Sequence, residues 1–243
     1  MRVFAIISYD GSKFQGFQKQ SYTNATVANQ IENVLRSCNI DTKLVASGRT
    51  DRGVHATHQV LHFKLPYYWS DCKKLQKVLN AHLIDSGIYF KTIFTVSNKM
   101  HARYSANRRS YQYLIKKRVK VFERDYFANY TIDSIQKFSQ ALQRFEKKAD
   151  FALFSKSGSG VKTTVRTIYK TRVLQYKDCT ICYIQADGFL RSQVRLMIQA
   201  ALEVAMGRAT LEDIDNQLMK KKLRFSKPAS ANGLYLTGVS YRV

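Results

Sequence analysis

The stretch Gly48-Arg49-Thr50-Asp51-Arg52-Gly53-Val54-His55-Ala56 joins two runs that read as β-strands, and the surrounding sequence is organised around it. Upstream, Thr42 to Ala46 carries Leu44 and Val45; downstream, Val54 to Leu65 carries Val60, Leu61, Phe63 and Leu65. Short apolar runs bounded by turn-forming residues are strand signals. Gly48 and Gly53 tolerate backbone angles that other residues resist, so the segment can bend tightly and let another molecule come close. At its centre stands one carboxylate, Asp51, between Arg49 and Arg52. Two readings fit: a plain turn whose aspartate accepts from local amides beside two solvated arginines, or a loop presenting one carboxylate for chemistry.

The whole composition narrows the field. A chain of 243 residues with 45% hydrophobic and 23% charged residues can bury a sizeable core, as one large domain or two closely packed subdomains. Forty Lys and Arg stand against seventeen Asp and Glu, a formal net charge of +23. The excess is distributed rather than held in a tail, recurring at Arg108-Arg109, Lys116-Lys117-Arg118, Lys147-Lys148 and Lys220-Lys221-Lys222. A folded body with this field attracts polyanions and releases counterions when it neutralises phosphates. A solvated basic surface is the plainer alternative, and an anionic membrane a rival partner, though no basic amphipathic helix stands out.

The opening apolar run, Val3 to Ile7, is too short for a signal peptide, and no stretch approaches a membrane span, so a cytoplasmic location is expected. Of four cysteines, Cys179 and Cys182 form a Cys-x-x-Cys without a second pair, on a predicted strand that sends them to opposite faces. That pattern reads as structural rather than as a zinc or redox motif. His55, His58 and His62 share one predicted strand, but His55 and His58 differ in parity, which disfavours joint metal ligation. No metal or organic cofactor is expected.

In chain order, Val3 to Tyr9 reads as a strand ending in the turn Asp10-Gly11-Ser12, followed by the aromatic loop Phe14 to Gln18. Thr26 is a candidate helix N-cap before Val27, Ile31, Val34 and Leu35 at helical spacing. A second helix is expected from Asp71 to Leu83, with Leu75, Val78, Leu79 and His82 on one face, then a strand from Ile88 to Val96. The second half offers Tyr111, Tyr113 and Ile115 on one strand face. It continues with helices near Ile132 to Phe145, Ser192 to Met206 and Thr210 to Met219, the last with Asp213 placed to cap Thr210. Strands are expected at Ile168 to Leu174, Ile181 to Ala186, Gly233 to Leu236 and Val239 to Val243. The pattern predicts an α+β fold with a mixed, mainly antiparallel central sheet, shared by two similar subdomains, and helices packed on it. The expected division is 1–100, carrying the Asp51 loop, and 101–243; no Pro- or Gly-rich linker separates them.

If the partner is RNA, the types of acidic residue near Asp51 restrict the chemistry. Two-metal phosphodiester hydrolysis needs several carboxylates, and glycosidic hydrolysis needs a second acid, for which Asp10 is the only obvious candidate before the loop. A lone carboxylate kept charged by guanidinium neighbours suits a covalent nucleophile acting on sugar or base. Arginine can also stack on bases and fill the gap left by an extruded nucleotide, whose extrusion costs about a few kcal/mol.

The nonapeptide resembles the active-site motif of the TruA family of tRNA pseudouridine synthases, and the resemblance continues in the same order along essentially the whole chain. His101-Ala102-Arg103-Tyr104-Ser105-Ala106, followed by Tyr111, is similar to the family's tyrosine motif. Gly188 to Arg195 is similar to its arginine motif at a helix start. Weaker matches are Tyr9-Asp10-Gly11, Asp150-Phe151, Arg166-Thr167-Ile168 and Gly233 to Leu236. The resemblance implies the pseudouridine synthase fold. It implies that Asp51 is the nucleophile that detaches uracil and permits reattachment through carbon, and that Arg49 replaces the flipped base in the stack. Tyr111 would stack on the target base, and Arg195 would pair with the aspartate. It further implies uridines of the anticodon stem-loop, at positions thirty-eight to forty in the family's usual description, as targets, with tRNA as partner and a homodimer as the working state. Departures from the family pattern are Arg52 beside the nucleophile, Phe17 for a common tryptophan, Leu196 for asparagine, Gln199 for glycine and Ile84 for proline.

Two other readings use the same features. A non-catalytic tRNA- or RNA-binding protein of the same fold would need the charge and aromatics but no carboxylate facing phosphates. A base-excising or nucleolytic enzyme would need a water-activating group that the sequence does not offer.

Overall fold

The computed structural model of the chain describes residues 1–156, 158 and 162–242. In its first half the elements are β1 (Arg2–Tyr9), α1 (Val27–Ser37), β2 (Val45–Ala46), β3 (His55–Lys64), α2 (Cys72–Leu83) and β4 (Ile88–Val96). There follow β5 (Ala106–Lys116), β6 (Ala128–Asn129), α3 (Ile135–Gln143), β7 (Lys148–Asp150), β8 (Val165–Tyr176) and β9 (Cys179–Ala186). The chain ends with α4 (Gln193–Ala205), α5 (Leu211–Leu218) and β10 (Leu234–Tyr241). These elements form two compact units, Met1–Asn107 with Tyr235–Val243, and Arg108–Leu234; Val243, placed in the closing strand by the sequence pattern, lies outside the described residues.

In the first unit β1 is the inner strand of an antiparallel group. It pairs with β3, Arg2 opposite Lys64 and Ile7 opposite Gln59, and with β4, Arg2 opposite Val96. Irregularities fall between Ile7 and Tyr9 against β3, and between Ile6 and Ile7 against β4. Short β2 joins β3 antiparallel, and β10 runs parallel to it, Tyr235 opposite His55. This pairing explains why the last strand belongs with the first unit although its sequence position is C-terminal. Thr26 caps α1 by accepting from the Asn29 amide, and Asp71 caps α2 by accepting from the Lys73 and Lys74 amides. Helix α2 buries Leu75, Leu79 and Leu83, a stripe worth about 1.5–3 kcal/mol per leucine. His82, expected on that face, is exposed instead, because the packed stripe is centred on the 75–79–83 row.

In the second unit β9 lies between β5 and β8, antiparallel to both, with Tyr111 opposite Ile184 and Thr171 opposite Ile184 from the other side. Short β7 continues the antiparallel pairing beyond β8, and β6 is added parallel to β5. Helix α3 starts at Ile135 rather than Ile132, because the Ser134 hydroxyl caps it through the Lys137 amide. Its buried residues Phe138, Ala141 and Leu142 serve a helix that packs on α4 and β8. Helix α4 is buried on most of its surface, including Leu196, Met197, Ile198, Ala200 and Ala201. Thr210 and Asp213 cap α5 reciprocally, the arrangement read from their spacing. Phe145 meets Phe154 edge-on at 5.0 Å, and Phe154 stacks on Phe225 at 6.2 Å, closing an aromatic core beneath these helices. Each unit is thus α+β with mostly antiparallel strands. No described helix is long and apolar enough to cross a membrane.

Candidate active site

The loop between β2 and β3 is fixed from several directions within the first unit. Ser47 donates its amide to the Val60 carbonyl at 2.7 Å, and the Ser47 hydroxyl donates to Gln59 Oε1 at 2.7 Å. The same Gln59, fully buried on β3, donates Nε2 to the Gly48 carbonyl at 2.9 Å. Thr50, 7% exposed, turns its hydroxyl onto the Tyr9 hydroxyl at 2.8 Å, while its carbonyl accepts from the Phe17 amide at 3.1 Å. The Val54 amide donates back to the Asp51 carbonyl at 3.1 Å, closing a tight turn in which Gly53 takes a positive φ of 77°. Thr50 and Val54 are therefore buried anchors on either side of the carboxylate.

Between these anchors Asp51 is half-buried, and Arg49 and Arg52 are exposed. The Phe14–Gln18 loop lies directly under the turn. A Cβ on Gly16, whose φ is 108°, would stand 3.1 Å from the Thr50 carbonyl and 3.5 Å from the Asp51 carbonyl carbon. Gly11 is tighter still, because a Cβ there would come within 2.1 Å of the Val54 carbonyl. Its amide donates to His55 Nδ1 at 3.1 Å, and the His55 ring stacks on Tyr235 at 4.6 Å. The turn Asp10–Ser12 and the aromatic loop after it form the floor that holds Asp51 in place. Burial pushes the Tyr9 hydroxyl up to about 12 against the opposing effect of its hydrogen bonds to Thr50 and Gln59, so it stays protonated near neutrality.

Tyr111 and Arg195 lie in the second unit. Tyr111, 9% exposed, meets Phe189 edge-on, with ring centroids 5.2 Å apart. Phe189 belongs to the segment that turns into α4. There Gln193, almost fully buried, accepts the Leu190 amide through Oε1 at 2.8 Å, and Ser192 takes a left-handed φ of 59°. Arg195 sits in the first turn of α4, half-buried, and donates Nε to the Ala229 carbonyl at 2.6 Å, while the Ala229 amide donates to the Arg195 carbonyl at 3.1 Å. The next residue along, Ser230, accepts from the Tyr113 hydroxyl at 2.8 Å. An arginine bonded through Nε has its orientation set by the backbone it grips. The His101–Ala106 segment folds as a turn of the first unit, with Ser105 donating its amide to the His101 carbonyl and accepting the His101 amide.

Arg49 and Asp51 thus share one loop, and Tyr111 and Arg195 are tied to one segment of the other unit. Sequence reasoning missed the supporting residues Tyr9, Thr50, Gln59 and Gln193. Tyr9 and Thr50 stand in motifs already quoted, but nothing in either motif tells which side chains meet. Three departures from the family pattern also have places. Phe17 is buried against the Tyr9 ring at 6.0 Å, Gln199 donates to Glu203 at 2.8 Å, and Ile84 is exposed at the end of α2. The four cysteines are free thiols, and the described residues contain no cluster of three or more His, Cys, Asp or Glu able to hold a metal ion.

Comparison with known proteins places this chain. It is 37% identical over 251 residues to tRNA pseudouridine synthase A of Helicobacter pylori (strain ATCC 700392 / 26695), covering 99% of this chain and 100% of the relative. It is 35% identical over 240 residues to the protein of that name from Wolinella succinogenes, covering 98% and 94% of the two chains. A third relative of the same name, from Helicobacter hepaticus, is 35% identical over 245 residues, covering 98% of each. The family described as tRNA pseudouridine synthase matches residues 5–105 and 141–242. The class these findings define is an isomerase. The chain belongs to the tRNA pseudouridine synthase family.

Proposed function

We propose that the protein converts uridine to pseudouridine in the anticodon stem-loop of tRNA, at the positions numbered thirty-eight to forty, with Asp51 as nucleophile. The observation that carries this reading is the presentation of Asp51. A half-buried carboxylate stands between two exposed arginines on a loop whose neighbouring residues are locked by Tyr9, Phe17 and Gln59. Rigid placement of one attacking group is what covalent catalysis requires.

In this reading the tRNA backbone is drawn by the positive field, and the target uridine leaves its stack, with the Arg49 guanidinium in the vacated space. Tyr111 covers the flipped base. The Asp51 carboxylate bonds to the nucleotide as the C–N glycosidic bond breaks; uracil turns and bonds through C5; the C5 proton departs, the freed N1 takes up a proton, and the carboxylate is released. Atoms and charge balance without oxidant, reductant or metal. Arg195, oriented by Ala229, holds the carboxylate charged through the cycle. The working form is a homodimer in the cytoplasm.

Chemical labelling of pseudouridine in a tRNA transcript, read by primer extension after incubation with the protein, tests the target. Stops confined to the anticodon stem-loop are expected. Modification elsewhere in the tRNA, or none, would overturn the positional part of the proposal.

A further inference from the structure

One surface feature of the second unit is used by none of the chemistry above. The segment between β5 and β6 folds into a 3-10 turn, Val121–Glu123, that holds two apolar side chains in water: Val121 is 72% exposed and Phe122 is 92% exposed. The turn is firmly built. The Glu123 carboxylate accepts the Lys120 amide at 3.2 Å, and the Glu123 amide donates to the Lys120 carbonyl at 2.9 Å. Lys116, its side chain 10% exposed, reaches Glu123 at 2.8 Å and Asp178 at 3.2 Å, with its ammonium 4.5 Å from the centre of the Phe127 ring. Asn232 donates to the Phe127 and Arg124 carbonyls, tying the far end of the turn. The chain has invested a nearly buried lysine and two carboxylates in displaying an aromatic ring outward.

Charge indicates what that ring meets. Lys117, Arg118, Lys120 and Arg124 are all exposed around the tip, against two exposed carboxylates, Asp125 and Asp178, the second of which pairs with Lys116. Glu123 faces Lys116 and is spent on the turn itself. The same cationic tip on a second copy would be repelled by these four side chains, whereas a polyanion would be attracted. An exposed aromatic ring ringed by cations is the arrangement by which proteins hold unpaired nucleotides: every base has a face to stack, and the cations neutralise the flanking phosphates.

We propose that Phe122 stacks on an unpaired base of the tRNA substrate other than the uridine being isomerised, with Lys117, Arg118, Lys120 and Arg124 set against the phosphates beside it. This rests on the proposed tRNA substrate. Phe122 is then a binding contact that raises affinity and leaves the chemical step alone.

The test uses the full-length protein and an unmodified tRNA transcript. Phe122→Ala should weaken tRNA binding about tenfold by filter binding, in the range of a lost base–aromatic stack. Phe122→Trp should restore affinity to within about twofold, since tryptophan also stacks. Turnover at saturating tRNA, read by tritium release from C5-labelled uridine, and the melting temperature should both be unchanged. An affinity for tRNA unmoved by Phe122→Ala would overturn the proposal. So would a change seen only in binding to phosphatidylserine vesicles or only in the sedimentation of the free protein, which would assign the tip to a membrane or a protein partner. If the unaltered protein releases no tritium, the proposed isomerisation fails, while the binding measurements still decide the role of Phe122.

Discussion

The hydroxyl groups of Tyr9 and Thr50, 41 residues apart in sequence, lie 2.8 Å from one another inside the first unit. This contact fixes the residue immediately before Asp51 to the end of β1. Tyr9→Phe would leave the buried Thr50 hydroxyl without that partner, costing about 1–3 kcal/mol. If Asp51 is the nucleophile, the loosened loop should lower turnover by about tenfold with tRNA affinity unchanged, because small displacements of a reacting group are costly. Single-turnover kinetics beside filter binding separates the two. Affinity falling in step with turnover would show that the contact serves the tRNA surface instead.

Gly11→Ala probes the floor of the same loop from below. A Cβ there would sit 2.1 Å from the Val54 carbonyl and 2.9 Å from the His55 amide nitrogen, both backbone atoms that cannot step aside alone. Overpacking of this kind costs about 1–3 kcal/mol. The melting temperature should fall by several degrees, about 2–4 °C for each kcal/mol in a chain of this size. An unchanged melting temperature would mean that the turn relaxes freely, contrary to the rigidity ascribed to it.

Stability should also fall with acid through His62. Burial, reinforced by His101 and Arg2, pushes the His62 imidazole down to about 4 from 6.5. The unfolded chain therefore takes up the proton first as pH drops, so the contribution present above 6.5 is lost progressively between 6.5 and about 4. His58 and His101 are lowered in the same direction, mainly by burial, and add to the trend. His62 Nδ1 accepts the Ala102 amide at 3.0 Å, a bond that a glutamine oxygen can replace. Melting curves at about pH 7.5 and about pH 5 should show a smaller acid loss for His62→Gln than for the unaltered protein. Equal losses would exclude His62 as the source.

Arg52, exposed beside Asp51, is expected to act on RNA affinity alone. Arg52→Ala should weaken tRNA binding and lower the slope of log affinity against log salt by about one, as removal of a phosphate contact does. A hundredfold slower chemical step at saturating tRNA would contradict this and bring Arg52 into the catalytic group.

Much of this molecule is readable from local chemistry. Thr26, Asp71 and the Thr210–Asp213 pair mark helix starts because a cap is made among residues three or fewer positions apart. Strand β4 runs from Ile88 to Val96 as its pattern predicts. Strand β2 is shorter than its apolar run, since the Leu44 amide goes to the Glu32 carboxylate on α1 rather than into a strand ladder. Strands β6 and β7, only two and three residues long, are too brief to carry a period. At the site, the Gly48–Ala56 loop is legible because its residues are contiguous. Its supports are not: the bonds from Tyr9 to Thr50 and from Gly11 to His55 join residues 41 and 44 positions apart, and no local pattern announces them. The left-handed Ser192 at the start of α4, flanked by the buried bond from the Leu190 amide to Gln193, is likewise not announced by its own propensity.

The most direct measurement follows tritium released from C5 of uridine in a tRNA transcript, with the unaltered protein and with Asp51→Asn. The unaltered protein should release tritium and leave the strand intact. The asparagine variant should bind the same tRNA to within a few-fold and release none, because an amide has no carboxylate oxygen to bond to the nucleotide. Release by Asp51→Asn at a rate near that of the unaltered protein would contradict the assignment of Asp51 as the nucleophile.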